Sequence, residues 1–220
     1  MTLNTLPTLH YIHDPLCGWC YAAQPLVSAA IERLDGRLQL QLHGGGLFGE
    51  PRTLDPGLAQ HIESSDRRIA QYSGQPFGEG YLASLHAEPA LVLYSLPPIA
   101  AVLAADTLDP AQAYPMLVAI QDAHYRRGLR VVEPAVLSEL AEEIGLDDAR
   151  FSTAFAQANA TALVEHLHGS RRLLADAGGQ GFPTLLLERD GRRRVFDHSR
   201  YYGQPDAFVE ALAAALPALH

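Results

Sequence analysis

The chain has only two cysteines, Cys17 and Cys20, and they are two residues apart at a point where a strand pattern gives way to a helix pattern. Leu9 to His13 is aromatic and β-branched enough for a short strand, and Asp14-Pro15 stops it because a proline holds its predecessor extended. From Gly18 to about Leu34 the apolar positions Ala22, Leu26, Ala29, Ala30 and Leu34 recur at three- and four-residue steps, and Asp35-Gly36 supplies a stop. Cysteines three apart at a helix start share one face, close enough for a disulfide, and the unpaired backbone N–H groups of the first turn point at the first sulfur.

A thiol in that setting ionises readily, its pKa falling from about 8.5 to roughly 3.5–7.5. Dithiol–disulfide exchange then runs through a mixed disulfide, with Cys17 as nucleophile and Cys20 as the more buried, resolving thiol. Three other readings compete. A structural disulfide across two residues stabilises little and is reduced in the cytosol. Zinc could draw on His10, His13, Cys17 and Cys20, but the two histidines fall on opposite faces of the strand and the spacing matches no common structural site. A buried, inert pair is unusual at a helix start.

Arg37 to His43 alternates apolar and polar residues, a half-buried strand ending at Gly44-Gly45-Gly46. Helical patterns follow near 57–72, 89–105, 110–127, 134–144 and 147–157, with no strand pattern between them. A helix at about 161–177 leads through Gly181-Phe182-Pro183-Thr184 into a hairpin, 184–188 and 193–196, turned at Asp190-Gly191. A last helix covers about 205–216. The order β-α-β, helical block, α-β-β-α predicts an α/β, thioredoxin-like fold with a large all-helical insertion. The expected boundaries are 1–48 and 158–220 for the discontinuous thioredoxin-like domain and 49–157 for the inserted helical domain, which would form a lid over the redox site.

All 16 basic residues are arginine, which removes Schiff-base catalysis and a phosphate-loop lysine. A net charge of -9 argues against a nucleic-acid partner. No apolar run approaches the ~20 residues that span a bilayer, so no membrane partner is expected. Met1 to His10 lacks the basic and apolar regions of an export signal, so the expected location is cytoplasmic.

Cys17-Gly18-Trp19-Cys20, the helical insertion and Gly181-Phe182-Pro183-Thr184 together resemble the DsbA family of thioredoxin-like disulfide oxidoreductases. Tyr11-Ile12-His13-Asp14-Pro15-Leu16-Cys17-Gly18-Trp19-Cys20 and Gly44-Gly45-Gly46-Leu47 are similar to its cytoplasmic, FrnE-like disulfide isomerases. The resemblance implies an isomerase or reductase acting on protein thiols and disulfides, needing no cofactor, with glutathione as a candidate co-substrate. It also implies a cis Pro183 facing the cysteines and a Phe182 backbone that pairs with bound polypeptide. Trp19 joins these two as a substrate-facing candidate. A second function within the same superfamily, a glutathione-dependent isomerase or kappa-class-like glutathione transferase, generally carries serine where Cys17 stands. Two departures stand out. Trp19 replaces the histidine of strongly oxidising members, which implies a milder oxidant, and the first strand holds no clearly buried acid to take a proton from Cys20. His13 or Asp14 could substitute, or simply cap the strand end. The oligomeric state is left open.

His43-Gly44-Gly45-Gly46 is similar to an esterase oxyanion loop, but the chain has no Gly-x-Ser-x-Gly nucleophile, and glycines there serve a sharp turn. The remaining histidines, His166 and His168 among them, read as surface or satisfied core residues. Arg192-Arg193-Arg194 reads as a solvated positive face.

Overall fold

The computed structural model describes residues 6–87, 89–179 and 181–216; residues 1–5 of the N-terminal stretch read for an export signal lie outside them. Its centre is a four-stranded sheet in the order β2-β1-β5-β6. Strand β1 (Thr8–His13) runs parallel to β2 (Gln39–Gly44) and antiparallel to β5 (Thr184–Arg189), which pairs antiparallel with β6 (Arg192–Val195). Leu185, Leu186 and Leu187 are all buried, as a strand covered on both faces requires. The β5–β6 turn places both Asp190 and Gly191 at positive φ, 51° and 77°, the geometry that an Asp-Gly pair favours in a two-residue hairpin. Arginines on edge strand β6 discourage pairing with another chain.

Helix α1 (Gly18–Arg33) packs with the C-terminal helix α9 (Pro205–Ala215), and their apolar faces join Leu9 and Tyr11 in the main core. Helix α8 (Leu163–Asp176) covers the opposite face, where Leu173 and Leu174 meet Ile12 and Leu186. Between β2 and α8 lie β3 (Arg52–Thr53), α2 (Pro56–Ser73), α3 (Glu79–Ser84), β4 (Val92–Leu93), α4 (Leu96–Leu108), α5 (Ala113–Asp122), α6 (Pro134–Glu143) and α7 (Asp148–Gln157).

Two expectations for this block need correction. Its residues 89–95 are not helical: Val92–Leu93 pairs with Arg52–Thr53, and α4 starts only at Leu96. Pro97 and Pro98 explain the shift, since they fit the first turn of a helix and break its interior. The expected gap between the helices at 147–157 and 161–177 is instead a π turn over 158–162 that joins α7 to α8.

Helix α1 contains Pro25, which has no N–H to give the Tyr21 carbonyl one turn earlier. Gln75, just beyond α2, fills that place: its amide donates to Tyr21 O at 3.1 Å. The sequence thus uses a defect in α1 to fix the helical block against it.

Candidate active site

Cys17 is the N-cap of α1 and Cys20 lies in its first turn; both are free thiols. The two differ in access. Cys17 is 8% exposed and Cys20 is 0% exposed. The Cys17 thiol donates to the carbonyl of Phe182 at 3.4 Å, and the Phe182–Pro183 bond is cis. Burial pushes the Cys20 thiol well above its ordinary value, helped by its hydrogen bond with Cys17.

Gly44, the last residue of β2, and the two glycines after it make room for this arrangement. A Cβ on Gly45 would lie 2.0 Å from the Phe182 ring, and one on Gly44 would lie 2.7 Å from Ile99. Gly46 has φ +71°, outside the range of most other residues. The triple glycine is therefore the seat of the cis-proline loop as well as a turn.

Asp14 is more than a strand cap. Its carboxylate, fully buried, accepts from Leu16 N at 2.9 Å, Leu47 N at 2.6 Å and Ser95 Oγ at 2.9 Å, while its own N–H donates to Cys20 Sγ at 3.4 Å. Burial outweighs those hydrogen bonds and raises the carboxyl to about 6. The buried acid absent from the first strand thus stands one residue beyond it. His13, equally buried, has no hydrogen-bond partner for either ring nitrogen among the described residues, and burial lowers it to about 3.

Trp19 packs on Tyr202 at 5.1 Å and on Tyr72, from α2, at 6.2 Å between ring centroids. A cavity of about 330 Å³ is lined by Trp19, which lies between the two cysteines in the chain, and by Tyr72, Phe182, Pro183, His198 and Tyr202. All three sequence-predicted substrate residues meet there. Tyr72, His198 and Tyr202 carry no local motif, and only the folded chain brings them together.

The histidines are more organised than the sequence suggests. His10 Nδ1 lies 3.0 Å from His43 Nε2, its Nε2 lies 3.0 Å from Glu188, and His166 Nε2 accepts from Gly44 N at 2.9 Å. Among the described residues no group of three or more histidine, cysteine or acidic side chains is placed to hold a metal ion.

The sequence profile of the DSBA-like thioredoxin domain matches residues 8–212. The chain belongs to that family. It is a thiol–disulfide oxidoreductase. The solved cytosolic disulfide reductase DsbM from Pseudomonas aeruginosa is 47% identical, with 96% of this chain and 99% of that chain covered and a TM-score of 0.88. Its structure with GSH gives 46% identity, the same coverage and a TM-score of 0.87. A protein from Nitrosomonas europaea, 24% identical over 98% of this chain and 100% of its own, shares the fold with a TM-score of 0.81. No curated protein matches. Among the described residues no helix is long and apolar enough to cross a membrane.

Proposed function

We propose that this oxidoreductase works as a cytosolic disulfide reductase or isomerase on polypeptide clients, with glutathione as co-substrate. The observation that carries the reading is the asymmetry of the pair: Cys17 reaches solvent beside the Phe182 carbonyl, and Cys20 does not. In a reduction, the Cys17 thiolate attacks a client disulfide, forms a mixed disulfide and releases one client thiolate. Cys20 gives up its proton and attacks Cys17 Sγ, which releases the second client thiol and leaves a Cys17–Cys20 disulfide. Two glutathione thiols then restore the dithiol and leave as glutathione disulfide. Asp14 is the candidate acceptor of the Cys20 proton, because it is the buried acid whose own N–H meets the Cys20 sulfur. Trp19, Phe182 and Pro183 hold the client, the Phe182 backbone by strand-like pairing and Trp19 by apolar contact.

The similarity to a cytosolic reductase supports both the location and the direction, and that protein's complex with GSH supports the co-substrate. Division of the chain into 1–48 with 158–220 and an inserted 49–157 belongs to the same proposal. Titration in glutathione redox buffers, read through the fluorescence of Trp19, tests it. A two-electron transition toward the reducing end of the span from about -120 to about -270 mV supports a reductase. A transition near the oxidising end contradicts that direction.

A further inference from the structure

Asp66 lies on α2, inside the helical block, yet its carboxylate faces the redox helix. It is 5% exposed. Its Oδ2 accepts from the Tyr81 hydroxyl at 2.7 Å. Its Oδ1 stands 2.9 Å from the point that a Cβ on Gly18 would occupy, with Ile69 Cδ1 at 2.8 Å from the same point. Gly18 is the first residue of α1 and follows Cys17 directly. The carboxylate therefore sits at the helix end whose unpaired N–H groups favour negative charge.

No cation balances it, for among the described residues Asp66 is in no ion pair. The groups around it are Gly18, which follows Cys17, Tyr81 on α3, and His124 and Tyr125 of the π turn over 123–127, whose rings pack on Tyr81. Burial holds His124 neutral, at about 4, and pushes the hydroxyls of Tyr81 and Tyr125 up. Burial raises the Asp66 carboxyl to about 6, against the pull of the Tyr81 hydrogen bond. It is charged at neutral pH.

We infer that Asp66 tunes the dithiol–disulfide equilibrium by holding a negative charge against the N-terminus of the helix that carries Cys17. The inference rests on the assignment of Cys17 as nucleophile. A carboxylate there competes with a Cys17 thiolate for the same N–H groups and repels it, whereas the neutral disulfide feels no such repulsion. The reduced form loses stability, and the protein releases electrons more readily. By linkage, reduction must raise the Asp66 carboxyl by the same factor.

The test is the equilibrium constant with glutathione for the wild type, Asp66→Asn and Tyr81→Phe, measured at a series of pH values on both sides of pH 6. Asn is isosteric and can still accept from Tyr81. Above pH 6 the Asp66→Asn protein should favour the dithiol by about tenfold relative to wild type, equivalent to about 30 mV, and the difference should vanish on the acid side. Tyr81→Phe removes the hydrogen bond that favours the ionised carboxyl, so the inflection should move to higher pH. A folded Asp66→Asn protein that matches wild type, or differs by a factor independent of pH, overturns the inference. If circular dichroism shows that variant unfolded, Tyr81→Phe decides: an upward shift supports the inference and an unmoved inflection overturns it. A wild type with no glutathione-dependent transition would instead refute the exchange reading itself.

Discussion

The main-chain N–H of Asp14 donates to the sulfur of Cys20 at 3.4 Å, while the carboxylate of the same residue binds Leu16, Leu47 and Ser95. One residue thus joins the resolving thiol to the loop before Cys17, to the loop after β2 and to the start of α4. Asn in its place offers one acceptor oxygen and an NH₂ group that cannot take a proton. Asp14→Asn should cost about 1–3 kcal/mol of stability, because a buried donor loses its acceptor. Above pH 6 it should slow resolution of a preformed mixed disulfide by roughly 10²-fold, the scale of a lost general base, while alkylation of Cys17 changes little. Single-turnover kinetics separates the two steps, and an unchanged resolution rate would remove Asp14 from proton transfer.

Gly45 and Phe182 are in closest approach at the cis-proline loop. The methyl of Gly45→Ala must displace the ring by more than an ångström, and the Phe182 carbonyl that meets Cys17 moves with it. Misplacement on that scale costs up to about 10²-fold in rate. We expect kcat/KM for a peptide disulfide to fall by at least tenfold in a protein that still melts cooperatively. Near-wild-type turnover would mean that the loop is not the client's seat.

His13 gives the clearest pH signature. Its folded-state value of about 3 lies below the ordinary 6.5, so between the two the unfolded chain binds a proton that the native protein refuses. Stability is therefore lost as pH falls through this interval. His43 and His124, both held at about 4, act in the same sense, whereas Asp14 and Asp66, both raised to about 6, oppose it between about pH 6 and pH 4. The histidine shifts are the larger, so net acid destabilisation is expected. His13→Leu removes two buried ring nitrogens that lack partners. It should raise stability near neutrality by about 1–2 kcal/mol and reduce the loss down to pH 4 by about 3 kcal/mol. Urea titrations at two pH values check both, and a parallel shift at each pH would contradict the account.

Much of this was legible in the sequence, because it is local. The strand before Cys17, the helix after it, and the Asp-Gly hairpin each follow from periodicity and turn chemistry within a short window. The place of the two cysteines at a helix start is likewise legible from their spacing, and the cis-proline from a family resemblance. The start of α4 is hard to read because an apolar, alanine-rich run continues through Pro97 and Pro98, which mark a helix beginning. The short α3 and the two-residue strands β3 and β4 are too brief to carry a period. Asp66, Tyr72 and Tyr202 could not be read as site residues, since nothing near them in the chain hints that α2 and the segment before α9 close around the cysteines. The histidine contacts were hidden for the same reason: His10, His43 and His166 meet only across β1, β2 and α8.

Tyr72 offers a way to separate clients from glutathione. It is 65% exposed and touches Trp19 through the cavity beside Pro183. Tyr72→Ala should leave stability within about 0.5 kcal/mol and raise KM for an apolar-flanked peptide disulfide by about fivefold, the worth of one aromatic contact. Turnover of glutathione disulfide, which has no apolar side chain to offer the Trp19–Tyr72 pair, should be unaffected. Equal losses for both substrates would place Tyr72 outside client recognition.

The most direct test of the exchange mechanism is mass spectrometry of Cys20→Ser after incubation with a peptide disulfide. The asymmetry of the pair predicts that the single remaining thiol accumulates a mixed disulfide with the peptide, mapped to Cys17 and persistent until another thiol is added. Cys17→Ser should form no adduct. A variant in which Cys20, with Cys17 replaced, captures the peptide as readily would reverse the roles, and the absence of any adduct on Cys17 would contradict the mechanism.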